Sequence, residues 1–114
     1  MKLAMVMQWD GIKPGHGEAA TKNAMRGFEL LAQWKEQGKV LSYSTFYGMQ
    51  RVRSFCVVMV DSDRVMDLVL DREFVTYCTE ASMLWDGFEW SLFQPDEDSQ
   101  EALQAWAATA AALA

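Results

Sequence analysis

KVLSYSTFYGMQRVRSFCVVMV, residues 39–60, decides the fold. In its opening stretch Leu41, Tyr43, Thr45 and Tyr47 alternate with Val40, Ser42, Ser44 and Phe46, the period of a strand with two differently used faces. Its closing stretch, SFCVVMV, is the β-branched and aromatic run of a central strand. Only GMQRVR lies between them, and so short a link is most simply an antiparallel hairpin. Arg51 and Arg53 on that link read either as a solvated tip or as a clamp for an anion.

Working outward, LAMVMQW (3–9) reads as a mostly buried first strand, and DGIKPGHG (10–17), rich in glycine with one proline, as a loop. Glu18 to Gln37 has helical spacing, with Ala24, Phe28, Leu31 and Lys35 on one side, Ala20 and Ala32 adjoining, and Gly38 as the stop. After the hairpin, DSDR (61–64) supplies Ser62 as an N-cap with Asp63 in the first turn. A short helix follows through Val65, Met66, Val69 and Leu70, and helix continues through Phe74, Tyr77, Cys78 and Ala81. MLWDGFEWSLF (83–93) returns to alternation, with Phe88, Trp90 and Leu92 on one face and Gly87 marking a bulge.

The order is βαββαβ. The fold expected over residues 1–93 is therefore a ferredoxin-like α+β domain with an antiparallel sheet. Residues 94–114 form an acidic linker and an Ala-rich C-terminal helix, opened by Asp98 and Glu101 in a capping-box spacing. Leu103, Trp106, Ala110 and Leu113 give that helix a thin apolar stripe. A lone helix of this length is marginal in water, so Trp106 implies docking on its own domain or on a partner.

The whole chain, 114 residues with 51% hydrophobic and 23% charged, is one domain's worth of globular sequence. Four of its 16 acidic residues, Asp96, Glu97, Asp98 and Glu101, fall in the tail, so the body is nearly balanced against 10 Lys and Arg. A balanced body offers no electrostatic footprint for nucleic acid or an anionic membrane, and neither is expected as a partner. An RNA-recognition reading of the third strand fails on the same ground and on its missing glycine pattern. Cys56 and Cys78 lie in apolar segments and read as reduced core residues, with a single disulfide as the alternative. The N-terminus lacks a cleavage-site pattern and no stretch has the length of a membrane span, so a cytoplasmic protein is expected.

The phrases LLAQWKEQGKVLSYSTFYG, SFCVVMVDSDRVMDLVLDREF and LWDGFEWSLF, in this order, resemble the dimeric α/β-barrel superfamily across residues 1–93. That group includes muconolactone-isomerase-like proteins, antibiotic-biosynthesis monooxygenases, haem-degrading relatives and YCII-related proteins. The resemblance implies a sheet covered by helices on one face, with two subunits pressing the other faces together. No catalytic residue carries over. The first strand offers Met5, Met7 and Gln8 where haem-degrading members have Asn, and Asn23 falls in the helix rather than on the strand where monooxygenase members place it. The first helix lacks the His of YCII-related proteins, and DREF (71–74) lacks the proline of their Asp-Pro-Phe phrase.

The residues themselves also point to pairing. Tyr43, Tyr47, Phe88, Trp90 and Met59 exceed what two short helices cover, and an uncovered apolar face is an association surface, so a homodimer is expected. His16, the sole histidine, reads as an exposed corner or as a general acid or base at the end of the first strand. No metal is expected, since one His and two distant Cys fit no known ligand spacing, and no cofactor is implied. Tyr43 and Tyr47 read either as cross-strand packing or as hydroxyls offered to a ligand. Met5, Met7, Met59 and Met83 read as core or as the soft lining of a pocket for a flat apolar ligand.

Two functions remain. One is a ligand-binding protein or enzyme for a small hydrophobic metabolite, with a pocket between sheet and helices near Trp9, His16, Tyr43, Tyr47, Trp85 and Trp90. The other is a non-catalytic assembly protein using its sheet face and C-terminal helix. A cavity walled by His16 or a tyrosine separates them.

Overall fold

The computed structural model of the chain describes residues 1–94 and 100–113. Its elements are β1 (Lys2–Asp10), α1 (Gly17–Glu36), β2 (Ser42–Tyr47), β3 (Arg53–Asp61), α2 (Val65–Val69), α3 (Arg72–Leu84), β4 (Glu89–Phe93) and α4 (Gln100–Leu113). The sheet runs β2-β3-β1-β4 and every neighbouring pair is antiparallel. This is the ferredoxin-like βαββαβ plan, with β2 and β3 joined as the expected hairpin.

Register sorts the side chains into two faces. Tyr43, Val58, Met5 and Leu92 lie in one cross-strand row, and Thr45, Cys56, Met7 and Trp90 in the next. This face is covered by α1 and α3 and contains the core: Met5, Met7, Cys56, Val58 and Val60 are all buried beneath Leu30, Leu31, Trp34, Phe74 and Tyr77. Ring packing ties the layers together, Trp34 to Phe74 at 5.9 Å and Phe74 edge-on to Trp90 at 5.4 Å.

Among the described residues no helix buries the opposite face, where Phe46, Phe55 and Phe93 are exposed. Phe46, Phe55, Gln8 and Glu89 form one row, Ser44, Val57, Val6 and Ser91 the next, and Ser42, Met59, Ala4 and Phe93 the third. Its apolar residues lie on the central strands and at Phe46 and Phe93 of the edge strands, which otherwise present Ser42, Ser44, Ser91 and Glu89. Phe46 and Phe55 stack at 4.8 Å, and Gln8 hydrogen-bonds Glu89. The open face is thus built from different residues than the alternation suggested. Tyr43, Phe88 and Trp90 pack against the core on the helix side, and only Met59 of the expected set belongs to the open face. Alternation says which residues share a face; it does not say which face the helices choose.

The buried side of α1 also differs from the hydropathy reading. Ala20, Asn23, Gly27, Leu30, Leu31 and Trp34 face inward, while Phe28 is half-exposed and Lys35 exposed. Gly27 and Asn23 carry no apolar signal, yet both are buried, and Gly27 lies against the Tyr77 ring of α3. Gly38, at φ +75°, ends the helix by letting Lys39 N–H reach the Trp34 carbonyl.

Capping lies elsewhere than expected. Arg64, not Ser62, holds the N-cap of α2, without a side-chain bond, and Asp61 accepts Asp63 N–H instead. The working cap is Asp71, whose carboxylate accepts Glu73 N–H at 2.8 Å and Phe74 N–H at 3.4 Å and pairs with Lys39 Nζ at 2.6 Å. Gly87 lies in the turn before β4, where its N–H bonds the Asp10 carbonyl at 2.8 Å. On α4, Leu103, Trp106 and Leu113 are exposed, so its stripe is not buried against the described residues of its own chain. Asp98 and the start of the expected capping box lie outside the described residues.

Candidate functional site

A cleft opens between α1 and the β2–β3 half of the sheet, on the helix-covered face. Its floor is Met7, Trp9, Thr45, Ser54 and Cys56, which register brings side by side on β1, β2 and β3. Its roof is α1, through Ala24, Gly27, Phe28, Leu31 and Trp34, and Tyr77 of α3 closes one side. The inner cavity measures about 50 Å³. Trp9, Ala24, Tyr47 and Ser54 also line a broader outer cleft of about 500 Å³, framed by the β2–β3 turn and Trp85. The inner part alone accepts only the narrow end of a molecule; the outer part has room for the rest.

Tyr77 is the best-placed polar group. It is buried, its oxygen accepts Trp9 Nε1–H at 3.0 Å, and its ring meets Phe88 edge-on. Gly27 makes this position available: a Cβ there would lie 2.7 Å from the Tyr77 hydroxyl. An isolated glycine inside a helical pattern costs helix stability and usually signals such a close approach. That was the one sequence signal that could have pointed to this site. Burial pushes the Tyr77 phenol well above its usual range, outweighing the Trp9 hydrogen bond, so the hydroxyl keeps its proton. Burial likewise raises the Cys56 thiol, against weaker opposing bonds from Thr45 and the Ser44 backbone. Cys78 is pushed up to about 12 by burial, and both cysteines are free. Neither thiol is a ready nucleophile at neutral pH.

The structure gathers only part of the expected site. Trp9 and Tyr47 line both parts of the cleft, and Trp85 lines the outer part. Tyr43 sits half-buried in the core face and Trp90 packs on Phe74. His16 is exposed at the N-cap of α1, makes no side-chain capping bond, and is absent from the cleft wall. Arg51 Nη2 bonds Asp10 Oδ2 at 2.6 Å, clasping the hairpin to the end of β1 beside the cleft mouth. Among the described residues no three His, Cys, Asp or Glu side chains converge as a metal site, and no helix is long and apolar enough to cross a membrane.

No family model and no curated protein matches the chain. Solved structures do match its fold. SnoaB, a cofactor-independent oxygenase from Streptomyces nogalater, superposes with a TM-score of 0.64 at 13% identity, covering 84% of this chain and 94% of that one. A Deinococcus radiodurans protein assigned to the antibiotic biosynthesis monooxygenases gives 0.66 at 7% identity, over 85% and 94% of the two chains. A conserved protein of unknown function from Bacteroides thetaiotaomicron gives 0.57 at 17% identity, over 80% and 90%. At such identities the likeness establishes the fold alone, the one adopted by the antibiotic biosynthesis monooxygenase structures.

Proposed function

Within the fold it shares with those oxygenase structures, we propose that this protein binds, as a pair of identical chains, a small hydrophobic molecule in the cleft between α1 and the β2–β3 sheet. The observation that carries this reading is the cleft itself, an apolar inner end with a buried tyrosine that opens into a cavity large enough for a metabolite. Trp9 and Tyr47 bridge its two parts and Trp85 flanks the mouth. A fold shared with oxygenases fits an enzyme as well as a binding protein, because one scaffold hosts many chemistries. His16 is a general acid or base here only if a ligand or a second chain reaches the N-terminus of α1.

Pairing is favoured by the open sheet face. Phe46, Phe55, Val57, Val6, Met59 and Phe93 expose a continuous apolar strip on a sheet whose other side is already covered. A two-fold contact buries the same strip on both chains at once. This face also supports the second reading, an assembly protein without a ligand.

Native mass spectrometry, compared with the same sample denatured, separates the readings. A dimer carrying a releasable small mass supports ligand binding. A dimer that stays bare through a screen of aromatic and alicyclic compounds favours assembly alone. A monomer at micromolar concentration overturns the paired arrangement.

A further inference from the structure

The polar groups of the inner cavity are unevenly matched. Tyr77 accepts a hydrogen from Trp9, but among the described residues nothing accepts the hydrogen of the Tyr77 hydroxyl. Trp34, which lines the same cavity and is 2% exposed, has its Nε1–H buried with no partner. Thr45 and Ser54 place hydroxyls on the floor, and among the described residues neither is hydrogen-bonded to Trp34 or Tyr77. Two buried donors therefore border one cavity, and among the described residues no protein oxygen is hydrogen-bonded to either. A buried donor left unpaired has given up water without replacement, so the fold tolerates this arrangement at a disadvantage that a bound acceptor removes.

We propose that the inner cavity receives the carbonyl oxygen of a ketone or ester, held by the Tyr77 hydroxyl and the Trp34 indole N–H, while the rest of the molecule lies in the outer cleft. A carbonyl oxygen has two lone pairs and no hydrogen, which suits a wall of donors. An alcohol would bring a further hydrogen that neither of these donors calls for. A bare hydrocarbon would leave both donors unmet. The raised phenol pKa keeps Tyr77 a donor across the physiological range. This inference rests on the cleft binding a ligand, and adds which end enters first and why.

The test compares acetophenone with ethylbenzene, which has a similar shape but lacks the oxygen. Each is titrated into the full chain, with affinities taken from amide and indole ¹H–¹⁵N spectra. Acetophenone is expected to bind about tenfold more tightly and to shift the Trp34 indole resonance downfield. Tyr77→Phe and Trp34→Phe are each expected to cut that preference by about threefold or more, the worth of one hydrogen bond. Either variant suffices if the other fails to fold. Equal binding of the two probes by the wild type overturns the carbonyl inference and leaves the cleft as a plain apolar site. An unchanged preference in both variants overturns the donor assignment. If neither probe binds, the ligand-binding reading fails, and this inference with it.

Discussion

The hydroxyl of Tyr77 occupies the space that a side chain on Gly27 would need: a Cβ at that glycine would fall 2.7 Å from the oxygen and 3.0 Å from Cζ. This contact sets how closely α3 approaches α1. It also places the only buried tyrosine at the wall of the cleft. Packing of two helices and definition of a candidate site are here the same interaction.

Gly27→Ala should therefore destabilise the protein, although alanine is the better helix former by about 1 kcal/mol. The overpacking penalty, about 1–3 kcal/mol, outweighs that gain. In a Tyr77→Phe background the same substitution should cost less, because the nearest atom is gone while the ring carbons remain. Urea denaturation of the four proteins gives the coupling. Additive effects would mean that the helices simply move apart.

Asp71 links the start of α3 to Lys39, and Asp71→Ala should cost about 1–2 kcal/mol through the lost cap and ion pair. Burial alone would raise its carboxyl, but the hydrogen bonds from Lys39 and from the Glu73 and Phe74 backbone prevail and hold it below the usual value. The folded state therefore favours the ionised form. Its contribution is complete above the unfolded pKa of about 3.9 and is lost as pH falls through the lower folded value. Stability measured from pH 6 down to pH 2 should fall less steeply in Asp71→Asn than in the wild type.

Both thiols should resist alkylation. At pH 8.5 an unfolded cysteine is roughly half thiolate, whereas Cys78, at about 12, is less than about one part in a thousand. Iodoacetamide should label the native chain at least about 100-fold more slowly than the denatured one. Because the folded pKa is raised, stability should decline as pH climbs from about 8.5 toward 12. Rapid labelling of the native protein would show that the α3 face opens readily.

Phe55→Glu should separate the proposed pair of chains without unfolding them, since Phe55 is 42% exposed on the open face and outside the core. A carboxylate brought into an apolar contact costs several kcal/mol. At about 1.4 kcal/mol per tenfold, dissociation should strengthen by roughly 100-fold or more. Sedimentation of wild type and variant reads this directly. An unchanged dimer would place the contact elsewhere, with the exposed stripe of α4 as the next surface to alter.

Residues 39–60 alone specified the hairpin, because strand alternation, a β-branched run and a short polar link are local properties. The same locality made the helices legible and produced the βαββαβ order, from which the antiparallel sheet follows. The inward sides were less legible. Hydropathy chose Phe28 and Lys35 on α1, whereas the fold buried Asn23 and Gly27, since what matters there is how closely Tyr77 approaches from another element. Trp9 and Tyr47 could be named as site residues because aromatic side chains near a strand end stand out in any sequence. Tyr77, Trp34 and Cys56 could not, because they meet only when α1, α3 and β3 pack together. Local periodicity determined which elements form and in what order; the register and the helix contacts of the tertiary structure decided which face is the core, which is open, and where the cleft lies.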